Sequence, residues 1–177
     1  CFDPHEPFHA PSRFRELYPT HYNGPILDWP IYDRVTETTE EIAELRANYS
    51  ALVTMTDEYF GRLLDFFDAH DLWSDTALIL TTDHGFLLGE HDWWAKNRMP
   101  VYDEIAHIPL MIYHPNFADE GGTRHCSLTQ TSDLMPTILD IAGQAIPEDV
   151  TGRSLIKVLA GDAEKRDSLI FGYFGAA

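Results

Sequence analysis

From Thr38 onward the apolar residues recur at helical spacing. Ile42, Leu45, Tyr49, Leu52, Tyr59, Leu63 and Phe67 follow one another at steps of three, four or seven. Thr38 or Thr39 can cap such a helix, and Glu40 and Glu41 suit its positive N-terminal end. The pattern predicts a helix to about Ala69, with its leucine and aromatic stripe in the core and its acidic face in water. The rhythm then changes. Residues 77–81 form a short apolar run that stops at Thr82, Asp83, His84 and Gly85, the signature of a buried strand. Residues 108–113 form a second run, with Pro109 near its start, where proline is tolerated. Neither run alternates with polar residues, which suits burial on both faces.

Weaker signals fill in the rest. Residues 1–35 hold Pro4, Pro7, Pro11, Pro19, Pro25 and Pro30, too dense for a long helix or a central strand, and predict an extended loop with a helical turn near 12–18. Short helices are expected over 101–106, 133–142 and 152–160, and a turn over 116–123. In the 133–142 helix, Thr131 or Ser132 would cap, Pro136 sits in the first turn and Gly143 closes. Residues 125–128 and 169–173 are candidate strands, the first carrying Cys126 as a buried small hydrophobe. Helices interleaved with strands predict an α/β sheet flanked by helices.

Composition narrows the function. A chain of 177 residues with 44% hydrophobic content fits one packed domain, burying roughly 70% of its unfolded surface. The net charge of −17, from 29 acidic and 12 basic residues, argues against a nucleic-acid partner, which calls for a basic stripe. No apolar run approaches the length of a membrane span. Two cysteines are too few for a disulfide framework. The chain opens at Cys1 without a Met, so its start reads as cut, and a missing signal segment says nothing about compartment.

The chemistry concentrates after the first apolar run. Asp83 offers a hard anionic oxygen and His84 a neutral nitrogen, both suited to a divalent metal. Consecutive residues point to opposite faces inside a strand, so the two can converge only where the strand has ended. Gly85 permits the sharp exit. Lys96 lies too far along for the same helical turn and must return on a loop. Asp-His-Gly after a strand is also an ordinary turn sequence, and His5 by itself is also an ordinary surface histidine in a proline-rich segment.

Longer blocks go further. Residues 76–85, then Leu88, Gly89, Glu90 and His91, Lys96, and Ile108, Pro109 and Leu110, resemble the C-terminal half of the sulfatase catalytic domain, within the alkaline-phosphatase superfamily. Arg46, Ala47, Tyr49, Asp57, Gly61 and Leu64 resemble that family's preceding helix. Asp133, Pro136, Thr137, Gly143, Gly152, Ser154 and Leu155 resemble its later D-x-x-P-T…G…G-x-S-L pattern, and Pro4-His5-Glu6-Pro7 its histidine-bearing proline loop. The blocks occur in order over about 3–161. The resemblance implies an alkaline-phosphatase-like sheet flanked by helices, of which residues 1–177 supply the C-terminal portion and 1–37 the proline-rich active-site loop. It implies that Asp83 and His84 are metal ligands, for Ca2+ or alternatively Mn2+ or Mg2+. It makes Lys96 the contact to the transferred group and His5 the donor beside the leaving oxygen, with His91 a candidate on the substrate side.

The family's nucleophile, a Cys or Ser of a C/S-x-P-S/A-R motif oxidised to formylglycine, is not found in these residues. His9-Ala10-Pro11-Ser12-Arg13 mimics the motif, but histidine cannot become formylglycine, and Cys1 lacks the rest of the pattern. The nucleophile is therefore expected upstream, in a missing N-terminal half of the same protein. The implied activity is hydrolysis of a small-molecule or saccharide sulfate ester, with this chain alone inactive. The alternatives are a phosphonate or phosphate mono- or diester hydrolase of the same superfamily, and a truncated module without turnover.

Overall fold

The computed structural model describes residues 3–162 and 166–172. In chain order its elements are α1 (Ser12–Arg15), α2 (Thr39–Ala69), β1 (Leu78–Thr81), β2 (Leu87–Leu88), β3 (Trp94–Ala95), α3 (Asp103–Ala106), β4 (Leu110–Tyr113), α4 (Leu134–Ile141) and α5 (Ile156–Leu159). Two compact units emerge. Among the described residues the first comprises 3–71 and 84–108, the second 72–83, 109–162 and 166–172. No helix among the described residues is long and apolar enough to cross a membrane.

The first unit is built on α2. Thr38 caps it: its hydroxyl accepts from the Glu41 backbone N–H, while the Glu41 carboxylate takes the N–H of Thr38 at 2.8 Å. This reciprocal pair satisfies two otherwise orphaned donors and fixes where the helix starts. Leu45, Asn48, Ala51, Leu52 and Phe67 are its buried residues. Of these, Leu45, Ala51 and Leu52 share a core with Phe8, Ala10, Phe14, Trp94 and Ala95. The expected stripe is only half core. Tyr59 and Leu63 are 52% and 41% exposed. At 31 residues the helix is roughly 46 Å long. α1 is joined to it by the Arg13–Glu58 ion pair, at 2.7 and 2.8 Å, and past that point Tyr59 and Leu63 stand largely in solvent.

A hairpin that the apolar pattern did not predict completes this unit. β2 pairs antiparallel with β3, Leu87 opposite Ala95 and Leu88 opposite Trp94. Two-residue strands are too short to show a period, so alternation could not reveal them. The Arg46 guanidinium on α2 donates to the Leu88 carbonyl at 2.7 Å, and the Trp94 indole donates to Glu37 at 2.7 Å. The hairpin is thus tied to the helix at β2 and to the segment just before it at β3.

In the second unit β1 pairs with β4, antiparallel, from Leu78 opposite Tyr113 to Thr81 opposite Leu110. The two runs do share a sheet, but neither is buried on both faces: β1 is half-buried throughout and Met111 is 60% exposed. The Tyr113 hydroxyl donates to the Trp73 carbonyl at 2.6 Å and fixes the far end of the ladder. Residues 125–128 form no strand, and Cys126 is exposed, not buried; both expectations are corrected by a segment that pairs with no strand among the described residues. Residues 169–172 form no strand either, and Tyr173, like Cys1, lies outside the described residues.

α4 ends as expected and begins differently. Gly143 takes φ +65°, its N–H reaches the Asp140 carbonyl at 3.0 Å, and the Gln144 N–H reaches Leu139 at 2.8 Å, the paired bonds of a Schellman cap. At the start, Thr131 and Ser132 lie inside a 3-10 turn, and capping falls to Gln130 and Asp133. Asp133 is fully buried. It accepts from the Arg166 guanidinium at 2.7 and 3.0 Å and from the N–H groups of Gln130 (2.9 Å) and Arg153 (2.8 Å). Burial by itself would raise its pKa; the Arg166 guanidinium and the two N–H groups outweigh that and hold the carboxyl below its ordinary range. Gly152 lies so close that an added Cβ would stand 1.9 Å from the Ser132 carbonyl oxygen.

Candidate active site

His5 and Lys96 are 91 residues apart in sequence and meet in the first unit, Lys96 Nζ standing 3.0 Å from His5 Nε2. Each is placed by an aromatic anchor. The proline loop is held by Phe8, 1% exposed, whose ring meets Tyr49 of α2 edge-on at 5.2 Å and Phe86 at 5.6 Å. The Phe8 N–H bonds the Asp28 carbonyl at 2.6 Å. Lys96 follows directly on β3, behind the fully buried Trp94 and Ala95. Its neighbours Ala95 and Asn97 take φ +73° and +79°, a backbone that side-chain-bearing residues adopt only where the surroundings fix it. Lys96 is 14% exposed, with its ammonium 5.8 Å above the Phe86 ring.

The proton positions follow from the partners. His5 Nδ1 lies 2.7 Å from the Glu6 carbonyl, which can only accept, so Nδ1 carries the hydrogen and Nε2 the lone pair. The Lys96 ammonium then donates to Nε2. The Glu6 carboxylate, 1% exposed, stands 3.4 Å from His5 Nδ1 and 4.0 Å from Lys96 Nζ. These are ion-pair separations without a hydrogen bond, and neither carboxylate oxygen has a hydrogen-bond partner among the described residues. Sequence reasoning passed over Glu6. The only hint was its place between His5 and Pro7, where an acidic residue normally faces water.

His84 also belongs to the first unit. Its Nδ1 donates to the Gly85 carbonyl at 2.9 Å, which again puts the ring lone pair on Nε2, as a metal ligand requires. Gly85 is fixed beside α3: its N–H bonds the Ile105 carbonyl at 2.9 Å, and a Cβ there would fall 1.8 Å from the Glu104 carbonyl oxygen. Asp83 belongs to the second unit, exposed, two residues beyond the end of β1, with the Thr82 hydroxyl 3.3 Å from its Oδ1. Among the described residues no three His, Cys, Asp or Glu side chains gather into a metal-binding group. A carboxylate and an imidazole suit a divalent ion in kind but leave most of its coordination to other groups.

His91 is engaged elsewhere. Its Nε2 lies 3.0 Å from Glu104, and its ring stacks on Tyr102 at 3.8 Å. Glu104 is held below the usual carboxylate range first by its own backbone N–H and then by His91.

The Sulfatase family profile matches residues 2–144. N-acetylglucosamine-6-O-sulfatase of Bacteroides thetaiotaomicron is 35% identical over 131 residues, 72% of this chain and 23% of that protein. The phosphonate monoester hydrolase of Silicibacter pomeroyi superposes with a TM-score of 0.64 at 39% identity, covering 73% of this chain and 25% of that one. The sulfatase yidJ structure from Bacteroides fragilis, described as putative, superposes over 94% of this chain and 36% of its own, with a TM-score of 0.70 at 25% identity. The chain spans about a quarter of the length of the curated relative. With four-fifths of its residues inside the family profile and its fold shared over nearly its whole length, this chain belongs to the sulfatase family of the alkaline-phosphatase superfamily.

Proposed function

We propose that this chain is the C-terminal portion of a larger sulfatase-like domain and supplies the lysine–histidine side of a sulfuric-ester hydrolase centre. The observation that carries this is the 3.0 Å contact between Lys96 Nζ and His5 Nε2. Displacement at sulfur builds negative charge on the equatorial and leaving oxygens, and preorganised cations stabilise it in a site that excludes water. Lys96, nearly buried and ammonium-bearing, would hold an oxygen of the transferred group. The His5 ring would face the departing oxygen and, as an imidazolium carrying a second proton on Nε2, hand it that proton and return to the Nδ1–H form. Asp83 and His84 would hold a divalent metal, Ca2+ by their hard-donor character, which when bound would neutralise charge on the same oxygens. The formylglycine nucleophile and the remaining metal ligands would come from an upstream segment. Saccharide sulfates are the favoured substrates, because N-acetylglucosamine-6-O-sulfatase is among the relatives.

The test is Lys96→Ala in the full-length enzyme, assayed on an aryl sulfate. Turnover should fall on the order of 10²–10³-fold, the scale of losing one preorganised donor. Lys96→Arg should restore only part, since a planar fork is not a compact ammonium. Unchanged turnover in Lys96→Ala would refute the assignment. A second reading, hydrolysis of phosphonate monoesters, has the 39% identity to such an enzyme in its favour. Aryl sulfate and aryl phosphonate assayed side by side separate the two by their kcat/KM ratio.

A further inference from the structure

We propose that Glu6 is the positioning carboxylate of the Lys96–His5 pair, the fixed negative charge that holds the lysine ammonium and the imidazole in register. The inference rests on the functional reading of those two residues. A carboxylate 1% exposed, with no hydrogen-bond partner on either oxygen among the described residues, is costly unless cations stand beside it. Among the described residues the cationic or titratable groups within ion-pair distance of it are His5 Nδ1, at 3.4 Å from its own loop, and Lys96 Nζ, at 4.0 Å from the hairpin; Phe86 adds an apolar wall by the lysine. Glu6 sets a negative charge beside a lysine that is 14% exposed against an aromatic ring, and its own carbonyl accepts from His5 Nδ1 at 2.7 Å. One residue therefore sets the orientation of His5 and faces the ammonium of its partner.

The experiment compares Glu6→Gln, Glu6→Asp and Lys96→Ala in the full-length enzyme, with an aryl sulfate as probe, over a range of pH. Glu6→Gln keeps the shape and removes the charge. It should lower kcat about 10–100-fold, the usual scale for a group acting through its neighbour. KM should stay level or fall, because removing an anion beside an anion-binding site does not weaken ground-state binding. A role confined to packing would not split kcat from KM in this way. Glu6→Asp, which keeps the charge, should recover most of the loss, and it serves if Glu6→Gln does not fold. Glu6→Gln within twofold of the parent at every pH, while Lys96→Ala is crippled, would overturn the inference alone. Glu6→Asp as impaired as Lys96→Ala at equal folded content would overturn it too. Full turnover in Lys96→Ala would overturn the inference together with the reading beneath it.

Discussion

Replacing Asp133 by alanine should be among the most damaging single changes in the second unit. The carboxylate is fully buried and answers four donors, two from Arg166 and one each from the Gln130 and Arg153 backbones. Removing it strands a guanidinium that is itself 13% exposed, together with two inward N–H groups. Breaking one side of a buried, hydrogen-bonded ion pair costs about 3–5 kcal/mol. Each stranded backbone donor belongs to the class of unmet buried polar groups worth about 1–3 kcal/mol, so the sum stays at the upper end even after relaxation. Against a total stability of about 5–15 kcal/mol this is a large fraction. With an m-value of about 2 kcal/mol/M in urea, the midpoint should fall by about 1.5–2.5 M. The assay is urea denaturation of the parent, Asp133→Ala, Arg166→Ala and the double variant, followed by circular dichroism. The cycle should return a coupling of about 2 kcal/mol or more between the two residues. A midpoint shift under about 0.5 M for Asp133→Ala, or additivity in the cycle, would refute the view that this carboxylate is the hub of its unit.

The same residue fixes a pH dependence. Its folded pKa is depressed, so its stabilisation is complete above its unfolded value of about 4 and drains away as pH falls through the folded pKa. Denaturation midpoints of the parent should therefore drop below about pH 4 more steeply than those of Asp133→Asn, and parallel slopes would contradict the assignment. Gly85→Ala places a methyl where only 1.8 Å separates it from the Glu104 carbonyl oxygen. The backbone must yield, and amide exchange should rise across α3 and His84 while α2 stays protected. The 177-residue chain by itself should bind Ca2+ or Mn2+ weakly and not hydrolyse an aryl sulfate; micromolar affinity by calorimetry with steady turnover would mean that the nucleophile lies within these residues.

What the sequence disclosed depended on how far each signal reached. α2 was legible almost to the residue because Thr38, Glu41 and a long 3.6-residue period all lie within it. Gly143 and Pro136 likewise announced the end and the first turn of α4. The β2–β3 hairpin was invisible, since two-residue strands held by Arg46 and Glu37 are specified by partners 42 and 57 residues away. Residues 125–128 have strand-like composition but nothing to pair with among the described residues, and composition does not report a missing neighbour. His5 and Lys96 were named through resemblance to a family, not by local pattern, because no periodicity links positions 91 residues apart. Glu6 escaped because its burial is set by tertiary packing, which no local pattern reports.

That separation has a kinetic consequence. Closing a flexible loop of 91 residues costs about (3/2)RT ln n, near 4 kcal/mol, before any contact across it is rewarded. One hydrogen bond returns about 0.5–1.5 kcal/mol, too little to hold the ends together. The closure is sustained instead by Phe8 against Tyr49 and Phe86, and by Trp94 in the same core. The His5–Lys96 contact should therefore form late, after α2 has gathered both anchors, and be the first part of the unit to open. Trimming Phe8, which carries no chemistry, would then scatter the polar pair while the long helix still stands.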